Sequence, residues 1–256
     1  MSTMNSYTID TTDGKTPPEY LVVFLHGHGS SGGAMSEYAG GLLAPLLPHA
    51  KIIFPDGPMS AVPENLMHML GGAKESPYRS WFDMRDIIDK NSIDTADRDK
   101  IGQRATAAAT AINAYVDAVA QKEGVPLDHV IIAGFSQGGT MAYYSGLLRV
   151  TEIGGVFCLS GGALDRLGTP QAKPPIGIAA GELETQDYSG APHARKVFAQ
   201  LEREGFYADC AIITGKKHEI SPKSMELLSA FTRAVTSETF KTRRTQELKA
   251  AAPRLN

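Results

Sequence analysis

Short apolar segments rich in β-branched residues alternate along this chain with longer segments of helical periodicity. Strands that are apolar on both faces are typical of a parallel sheet covered by helices on both sides. The predicted strands lie at residues 20–26, 51–54, 129–134, 155–160, 175–180 and 209–214. The predicted helices lie at residues 34–47, 97–123, 138–148, 191–205 and 222–241. This alternation predicts an α/β fold with a mostly parallel central sheet and helices on both faces.

The domain organisation follows from the order of these elements, which shows no internal repeat and no linker. A chain of 256 residues is long enough to bury a sizeable core, so we predict one domain over residues 1–236. Residues 237–256 differ, because five basic side chains there outnumber two acidic ones. We expect that segment to be a flexible, solvated tail.

Composition and charge argue against several classes of function. The formal net charge is −3, and nucleic-acid binding needs a concentrated basic face that the sequence does not offer. Cys158 and Cys210 are too few for a disulfide framework and are expected as small apolar residues on strands. Residues 1–20 are polar and lack the pattern of a signal peptide, and no apolar run approaches the ~20 residues of a membrane span. We therefore expect a cytoplasmic protein with no nucleic-acid partner and no membrane insertion. The sequence does not predict its oligomeric state.

Three glycine motifs compete as the functional centre. Residues 27–32 fit the G-x-G-x-x-G pattern of dinucleotide-binding loops, and Asp56 follows the second predicted strand, where a ribose-binding acid belongs. Residues 29–33 and residues 134–138 both fit G-x-S-x-G, the pattern around the nucleophile of many hydrolases. The patterns alone do not separate these motifs, so their structural context must.

The strand-to-helix context favours the motif at residues 134–138. A nucleophile elbow places its serine at the abrupt end of a strand, on a strained turn that leads directly into a helix. The predicted strand ends at Gly134 and the next helix begins at Gly138, so Ser136 meets this requirement. Ser31 lies several residues beyond its strand, in a loop. Ser136 is therefore the candidate nucleophile.

A serine hydroxyl is a weak nucleophile and needs a base, which in turn needs an acid that orients it. Hydrolases built on such sheets supply these groups in the order Ser, acid, His, each on a loop after a strand. His218 follows the last predicted strand and precedes the last helix, so it is the candidate base. His26 and His28 resemble a metal-binding pair, but no third ligand follows at a suitable spacing, and we expect no metal.

Four segments in this order resemble a known family. They are similar to segments of the phospholipase/carboxylesterase family of α/β-hydrolases, which includes bacterial carboxylesterases and the acyl-protein thioesterases. The resemblance extends from residue 20 to about residue 236. The segments are LHGHGS at residues 25–30, RSWFD at 79–83, GFSQGG at 134–139 and KHEISP at 217–222.

This resemblance implies an α/β-hydrolase fold and assigns roles to site residues. It implies that Ser136 is the nucleophile and that His218 is the base. It also implies that the backbone N–H groups of His28 and Gln137 form the oxyanion hole, which stabilises the charge of the tetrahedral intermediate. By the same resemblance, residues 81–83 border the active site.

The acid is the position at which this chain departs from the family. Glu182, Glu184 and Asp187 all follow the strand predicted at residues 175–180. The family loop reads HGxxDxxVP, whereas here residues 180–187 read AGELETQD and the Val-Pro pair is missing. Counting from the strand, Glu184 takes the place of the family aspartate, and Asp187 is the alternative. Either carboxylate could orient the imidazole, since glutamate fills this role in some hydrolases, and we favour Glu184 on the count from the strand.

The sequence therefore predicts a serine carboxylic-ester hydrolase that acts on a small-molecule ester or thioester through an acyl-enzyme, without metal or cofactor. Lysophospholipids and acyl-proteins share this chemistry, so the natural substrate and its chain length stay open. The methionine-rich residues 58–70 are a candidate apolar wall for an acyl chain, and an irregular covering loop is the alternative. Two rival functions remain. One is a dinucleotide-dependent oxidoreductase using residues 27–32, and the other is a catalytically inactive hydrolase-fold binding module, suggested by the divergent acid loop.

Overall fold

The computed structural model describes residues 4–62, 77–83, 95–162, 170–185 and 189–251. The strands are β1 (Ser6–Asp10), β2 (Tyr20–Leu25), β3 (Ala50–Pro55), β4 (Met59–Ser60), β5 (Arg79–Ser80), β6 (Val130–Phe135), β7 (Gly155–Leu159), β8 (Ile176–Gly181) and β9 (Ala208–Ile213). The α-helices are α1 (Gly32–Met35), α2 (Gly41–Leu43), α3 (Thr95–Glu123), α4 (Gln137–Leu147), α5 (Ala191–Arg203), α6 (Pro222–Thr236) and α7 (Glu238–Ala251). Shorter helical segments are a π-helix at Ser36–Gly40 and 3₁₀ turns at Ala44–Leu46 and Leu127–His129.

Seven strands form the central sheet in the order β1-β3-β2-β6-β7-β8-β9. All neighbouring pairs are parallel except β1 with β3, which is antiparallel. Strands β4 and β5 form a separate antiparallel ribbon beside the sheet. The predicted mostly parallel sheet with helices on both faces is confirmed.

Side chains of the buried strands alternate between two cores. Along β2, Leu21, Val23 and Leu25 pack on the side of α3, α4 and α5, whereas Val22 and Phe24 pack on the side of α2 and α6. All five side chains are fully buried. Because both faces of the strand are covered, the sequence there is continuously apolar, which is the signal that predicted it.

Strand β1 was not predicted from the sequence. Its residues, SYTID, are mostly polar and exposed, and they pair with one edge of β3 from Ser6 opposite Pro55 to Asp10 opposite Lys51. A strand at an exposed edge needs no continuous apolar run, so the pattern that reveals buried strands misses it.

The C-terminal segment is helical, which corrects two predictions. The helix predicted at residues 222–241 is divided at Ser237, whose extended backbone separates α6 from α7. Residues of the expected flexible tail instead form α7, which packs on the body of the protein. The Phe240 side chain is 8% exposed, with its ring 4.7 Å from that of Tyr207, and the Lys241 ammonium lies 2.7 Å from a carboxylate oxygen of Asp128. The sequence shows the basic residues but not the acidic and aromatic partners that the fold brings to them.

Other predicted elements agree with the structure. The long helix α3, predicted at residues 97–123, ends at Glu123, and the following Gly124 adopts a positive φ of +68°. Cys158 and Cys210 lie as free thiols on β7 and β9. In the described part of the chain, no helix combines the length and the apolar character that crossing a bilayer requires.

Candidate active site

The candidate site lies at the carboxyl edge of the sheet, where the chain changes direction across it. Strands β2 and β6 are neighbours, but β2 is followed by β3 on one side and β6 by β7 on the other. The loops that leave β2 and β6 therefore diverge, and the crevice between such loops is where open α/β sheets generally bind ligands. The first of these loops carries His28, and the second consists of Ser136 alone, between β6 and α4.

Ser136 occupies a strained turn of the kind predicted for a nucleophile. Its φ of 57° and ψ of −121° are backbone angles that residues other than glycine rarely adopt. The turn closes only because its flanking residues are small. A Cβ on Gly134 would lie 2.3 Å from the Gly138 carbonyl oxygen, and one on Gly138 would lie 2.1 Å from that of Leu25. The sequence G-F-S-Q-G thus permits a geometry that larger residues would prevent.

His218 lies between Ser136 and Glu184. Its Nε2 is 2.9 Å from the Ser136 Oγ, and its Nδ1 is 3.1 Å from Oε2 of Glu184. Because an ionised carboxylate can only accept, Nδ1 carries the proton and Nε2 is left to accept from the serine hydroxyl. The Phe135 ring packs at 4.9 Å from the imidazole, between centroids. The imidazole is thus held on one face by a ring and at both nitrogens by hydrogen bonds.

Glu184 is a buried carboxylate surrounded by donors. Its side chain is fully buried, and Oε1 accepts from the Ser160 hydroxyl and, at 2.7 Å, from the Gly181 N–H. Oε2 accepts from the Ser189 hydroxyl at 3.2 Å as well as from His218. Burial, the largest single influence, raises the pKa of Glu184, but the hydrogen bonds from His218, Ser160 and Gly181 and the electrostatic attraction to His218 together outweigh it and leave the pKa below its usual value. Glu184 is therefore ionised at neutral pH.

The loop after β8 carries two further carboxylates, Glu182 and Asp187. Glu182 is exposed, and its Oε2 accepts from the Gly215 N–H at 2.9 Å rather than from an imidazole. Asp187 lies outside the described residues. Glu184, the residue favoured by counting from the strand, is the described carboxylate of this loop that contacts His218.

The two predicted oxyanion donors lie on the loop after β2 and at the start of α4. The Gln137 N–H is the first of helix α4, so it has no acceptor within the helix and lies at the positive end of the helix dipole. His28 lies on the loop after β2, and its Nδ1 is 3.0 Å from the Ser80 hydroxyl. The next residue, Gly29, donates its N–H to the Arg79 carbonyl at 2.9 Å. This loop is thus tied to the β5 segment, and its role as half of an oxyanion hole stays a prediction.

The Gln137 side chain has a positioning function that the sequence did not reveal. Its Oε1 accepts from the Trp81 N–H at 3.0 Å and from the Ser80 hydroxyl at 3.1 Å, and its Nε2 donates to the Phe82 carbonyl at 3.2 Å. The Trp81 indole N–H donates to the His26 carbonyl at 2.8 Å. The RSWFD segment therefore binds both the elbow and the loop after β2. The only signal for this was the resemblance, which placed residues 81–83 beside the site.

His26 is a structural residue in this arrangement. It is fully buried, its Nδ1 is 2.7 Å from the Gly27 carbonyl oxygen, and its Nε2 accepts from the Gly57 N–H at 2.8 Å. Burial lowers the pKa of His26 to about 4, so the ring is neutral. Both ring nitrogens are bonded within the protein, which removes His26 from the metal pair that it resembled with His28. The described residues contain no group of three or more His, Cys, Asp or Glu arranged to hold a metal.

The dinucleotide interpretation loses its two main features. Asp56 accepts from the Gly32 N–H at 2.7 Å and from the Asn5 amide at 2.8 Å, so it holds the loop in place and does not face a ribose site. The N–H groups of Gly29 and Ser30 donate to backbone carbonyls. Three of the loop's N–H groups are thus used inside the protein, whereas a phosphate cradle would point them at a ligand. Residues 63–70 of the proposed apolar wall lie outside the described residues.

Comparison with known proteins gives a consistent result. The model of the Phospholipase/Carboxylesterase family matches residues 8–236. Acyl-protein thioesterase 1 of Yarrowia lipolytica is 34% identical over 142 residues, which are 55% of this chain and 56% of that protein. Acyl-protein thioesterase 1 homolog 1 of Dictyostelium discoideum is 24% identical over 215 residues, 82% of this chain and 88% of that protein. The crystal structure of esterase PE8 matches with a TM-score of 0.73 at 23% identity, over 91% of this chain and 100% of that one, a likeness of fold.

Proposed function

The chain belongs to the phospholipase/carboxylesterase family, and from this premise we propose that it is a serine hydrolase that cleaves carboxylic esters or thioesters through an acyl-enzyme. The observation that carries the proposal is the continuous hydrogen-bonded series from Ser136 through His218 to Glu184, with contacts of 2.9 and 3.1 Å. A strained serine, an imidazole with its accepting nitrogen toward that serine, and a buried ionised carboxylate are the parts that acyl transfer requires.

Acylation uses the contact between Ser136 and His218. The Ser136 Oγ attacks the carbonyl carbon of the substrate while its proton passes to Nε2 of His218. The negative charge that forms on the carbonyl oxygen is stabilised by the N–H groups of His28 and Gln137, and losing one such donor typically costs about 10²–10³ in rate. The intermediate then expels the alcohol or thiol, which takes the proton from Nε2 as it leaves.

Deacylation repeats these steps with water as the nucleophile. His218 takes a proton from a water molecule, whose oxygen attacks the acyl carbon and forms a second tetrahedral intermediate. Collapse of this intermediate returns the proton to the Ser136 Oγ and releases the carboxylic acid. Glu184 stays ionised throughout and stabilises the imidazolium that forms twice in the cycle.

The contacts of Glu184 and Asp56 weigh against the two rival functions. The divergent acid loop suggested an inactive binding module, but Glu184 in that loop lies within hydrogen-bonding distance of His218. Asp56, which suggested an oxidoreductase, holds the Gly32 N–H. We retain the acyl-protein thioesterase, lysophospholipase and short-ester activities as alternatives for the natural substrate, and a cytoplasmic location stays a prediction.

Hydrolysis of p-nitrophenyl esters tests the proposal. We expect turnover of acetate, butyrate or octanoate esters, with the relative kcat/KM across this series reporting the acyl length that the crevice accepts. Ser136→Ala should abolish it. Ser31→Ala is the matched control, because Ser31 is the serine of the competing motif and its hydroxyl caps α1 by accepting from the Ala34 N–H at 3.2 Å. Turnover that survives Ser136→Ala, or that Ser31→Ala abolishes, would overturn the proposal.

A further inference from the structure

A second serine in the left-handed backbone region lies beside the candidate nucleophile. Among the described residues, the non-glycine residues with a positive φ are His49, Ser136 and Ser160. Ser136 and Ser160 directly follow the neighbouring strands β6 and β7. Ser160 has a φ of 49° and is 2% exposed. A strained conformation at a buried non-glycine residue is retained only where the surroundings fix it, and such residues cluster at functional sites.

The Ser160 side chain explains the strain. Its hydroxyl donates to Oε1 of Glu184, while its backbone N–H donates to the Ala179 carbonyl at 2.7 Å. The backbone is thus anchored to β8, and the side chain extends toward the loop that follows the same strand. A glycine would adopt this backbone conformation without strain but would supply no hydroxyl.

The Ser160 hydroxyl restricts the orientation of the Glu184 carboxylate. Glutamate has one more rotatable bond than the aspartate of the family loop, so its carboxylate plane is less constrained by the backbone. The Ser160 hydroxyl and the Gly181 N–H both bind Oε1, which leaves Oε2 to face His218. Two donors on one oxygen fix the plane of the carboxylate and also stabilise its charge in a buried site.

We propose that Ser160 is a positioning residue for the triad acid, whose hydroxyl holds the Glu184 carboxylate ionised and oriented so that Oε2 receives the N–H of His218. This inference rests on the proposed function. Among the described residues, two titratable groups interact with the carboxylate, namely His218 and the buried Cys158 thiol. Burial raises the pKa of Cys158 to about 12, so this thiol stays neutral beside the carboxylate.

Two substitutions at one position separate catalysis from stability. Ser160→Ala and Ser160→Gly both remove the hydroxyl, but only glycine relieves the backbone strain, so the glycine variant should be at least as stable as the alanine variant. Both should lower kcat by about 10- to 100-fold, the effect of losing one hydrogen bond to a charged group. Both should also move the acidic limb of the kcat/KM profile to higher pH, because the Ser160 hydrogen bond helps to lower the pKa of Glu184, and a carboxylate with one donor fewer is protonated at a higher pH.

Ser145→Ala is the matched control. Ser145 is also fully buried, but its hydroxyl has no hydrogen-bond partner among the described residues, and we expect unchanged kcat and an unchanged pH profile. The proposal would be overturned by wild-type kinetics in Ser160→Gly, or by a loss of activity that follows the folded fraction while the acidic limb stays fixed. Failure of the proposed hydrolase function is distinguishable from failure of the Ser160 proposal. In the former case, the single substitution Ser136→Ala would leave ester turnover unchanged.

Discussion

Replacing Glu184 by glutamine tests the role of the buried acid while keeping its shape. The carboxylate accepts from four donors, namely the Ser160 and Ser189 hydroxyls, the Gly181 N–H and Nδ1 of His218. Glutamine keeps one oxygen and replaces the other with an NH₂ group, which can only donate. Whichever way the amide is turned, a donor then meets a donor, and the charge beside the imidazole is gone.

The magnitude follows from the distance between Glu184 and His218. With 3.1 Å between Nδ1 and Oε2, the attraction between carboxylate and imidazolium is about 5 kcal/mol at an effective dielectric constant of ~20. At about 1.4 kcal/mol per factor of ten, full loss of this attraction in the transition state corresponds to about 10³–10⁴ in kcat. The mismatched donors should also lower the free energy of unfolding by about 1–3 kcal/mol.

Steady-state hydrolysis of p-nitrophenyl butyrate measures the loss in kcat, and guanidinium denaturation measures the loss in stability. Glu182→Gln is the matched control, since Glu182 lies on the same loop, is exposed and accepts from the Gly215 N–H. We expect the control to keep wild-type kcat. An uncompensated imidazolium implies a loss in kcat of about 10³-fold. If Glu184→Gln loses less than about tenfold in kcat, the electrostatic reasoning is wrong. If Asp187→Asn instead loses activity by orders of magnitude, the acid has been assigned to the wrong residue.

Two further predictions concern the supports of the site. Burial lowers the pKa of His26 to about 4, so as the pH falls from about 6.5 to 4 the unfolded chain binds a proton that the folded chain does not. The free energy of unfolding should therefore drop by about 3 kcal/mol over that range. Denaturation at several pH values measures this, and a His26→Gln variant with an equally steep fall would contradict it. Gly138→Ala places a Cβ 2.1 Å from the Leu25 carbonyl oxygen and should lower the free energy of unfolding by about 1–3 kcal/mol or prevent folding. Gly41→Ala is the control, because a Cβ there has nothing within 4 Å and should not destabilise the protein. Equal denaturation midpoints of the two variants would refute this prediction.

The parts of the site that the sequence predicted are those fixed by their position after a strand. Ser136 and His218 were identified because each follows a predicted buried strand and precedes a helix, and parallel strands deliver such residues to one edge. The same counting selected Glu184, although the motif around it is not the family's. These predictions need only the order of strands and loops, which a continuous apolar pattern reveals.

The parts that were missed depend on contacts between segments far apart in sequence. The Gln137 side chain bonds the backbone of residues 81 and 82 and the Ser80 hydroxyl, and no local pattern announces such a partner. Ser160 gave no signal either, because its role depends on a backbone angle and on a carboxylate that approaches from the next strand. The sequence predicts a flexible tail where helix α7 forms, because Phe240 is one aromatic residue in a mainly polar segment and its neighbours are visible only in the fold.

Covalent labelling of the nucleophile tests the central claim most directly. A fluorophosphonate probe reacts with a serine only when a base activates its hydroxyl and an oxyanion hole receives the phosphoryl oxygen, so the adduct reports the assembled site and not the serine alone. We predict that the intact protein gains the mass of one phosphonyl group, that peptide mapping places it on Ser136, and that Ser136→Ala abolishes it. Failure of the folded wild-type protein to label, or an adduct that persists in Ser136→Ala, would contradict the account.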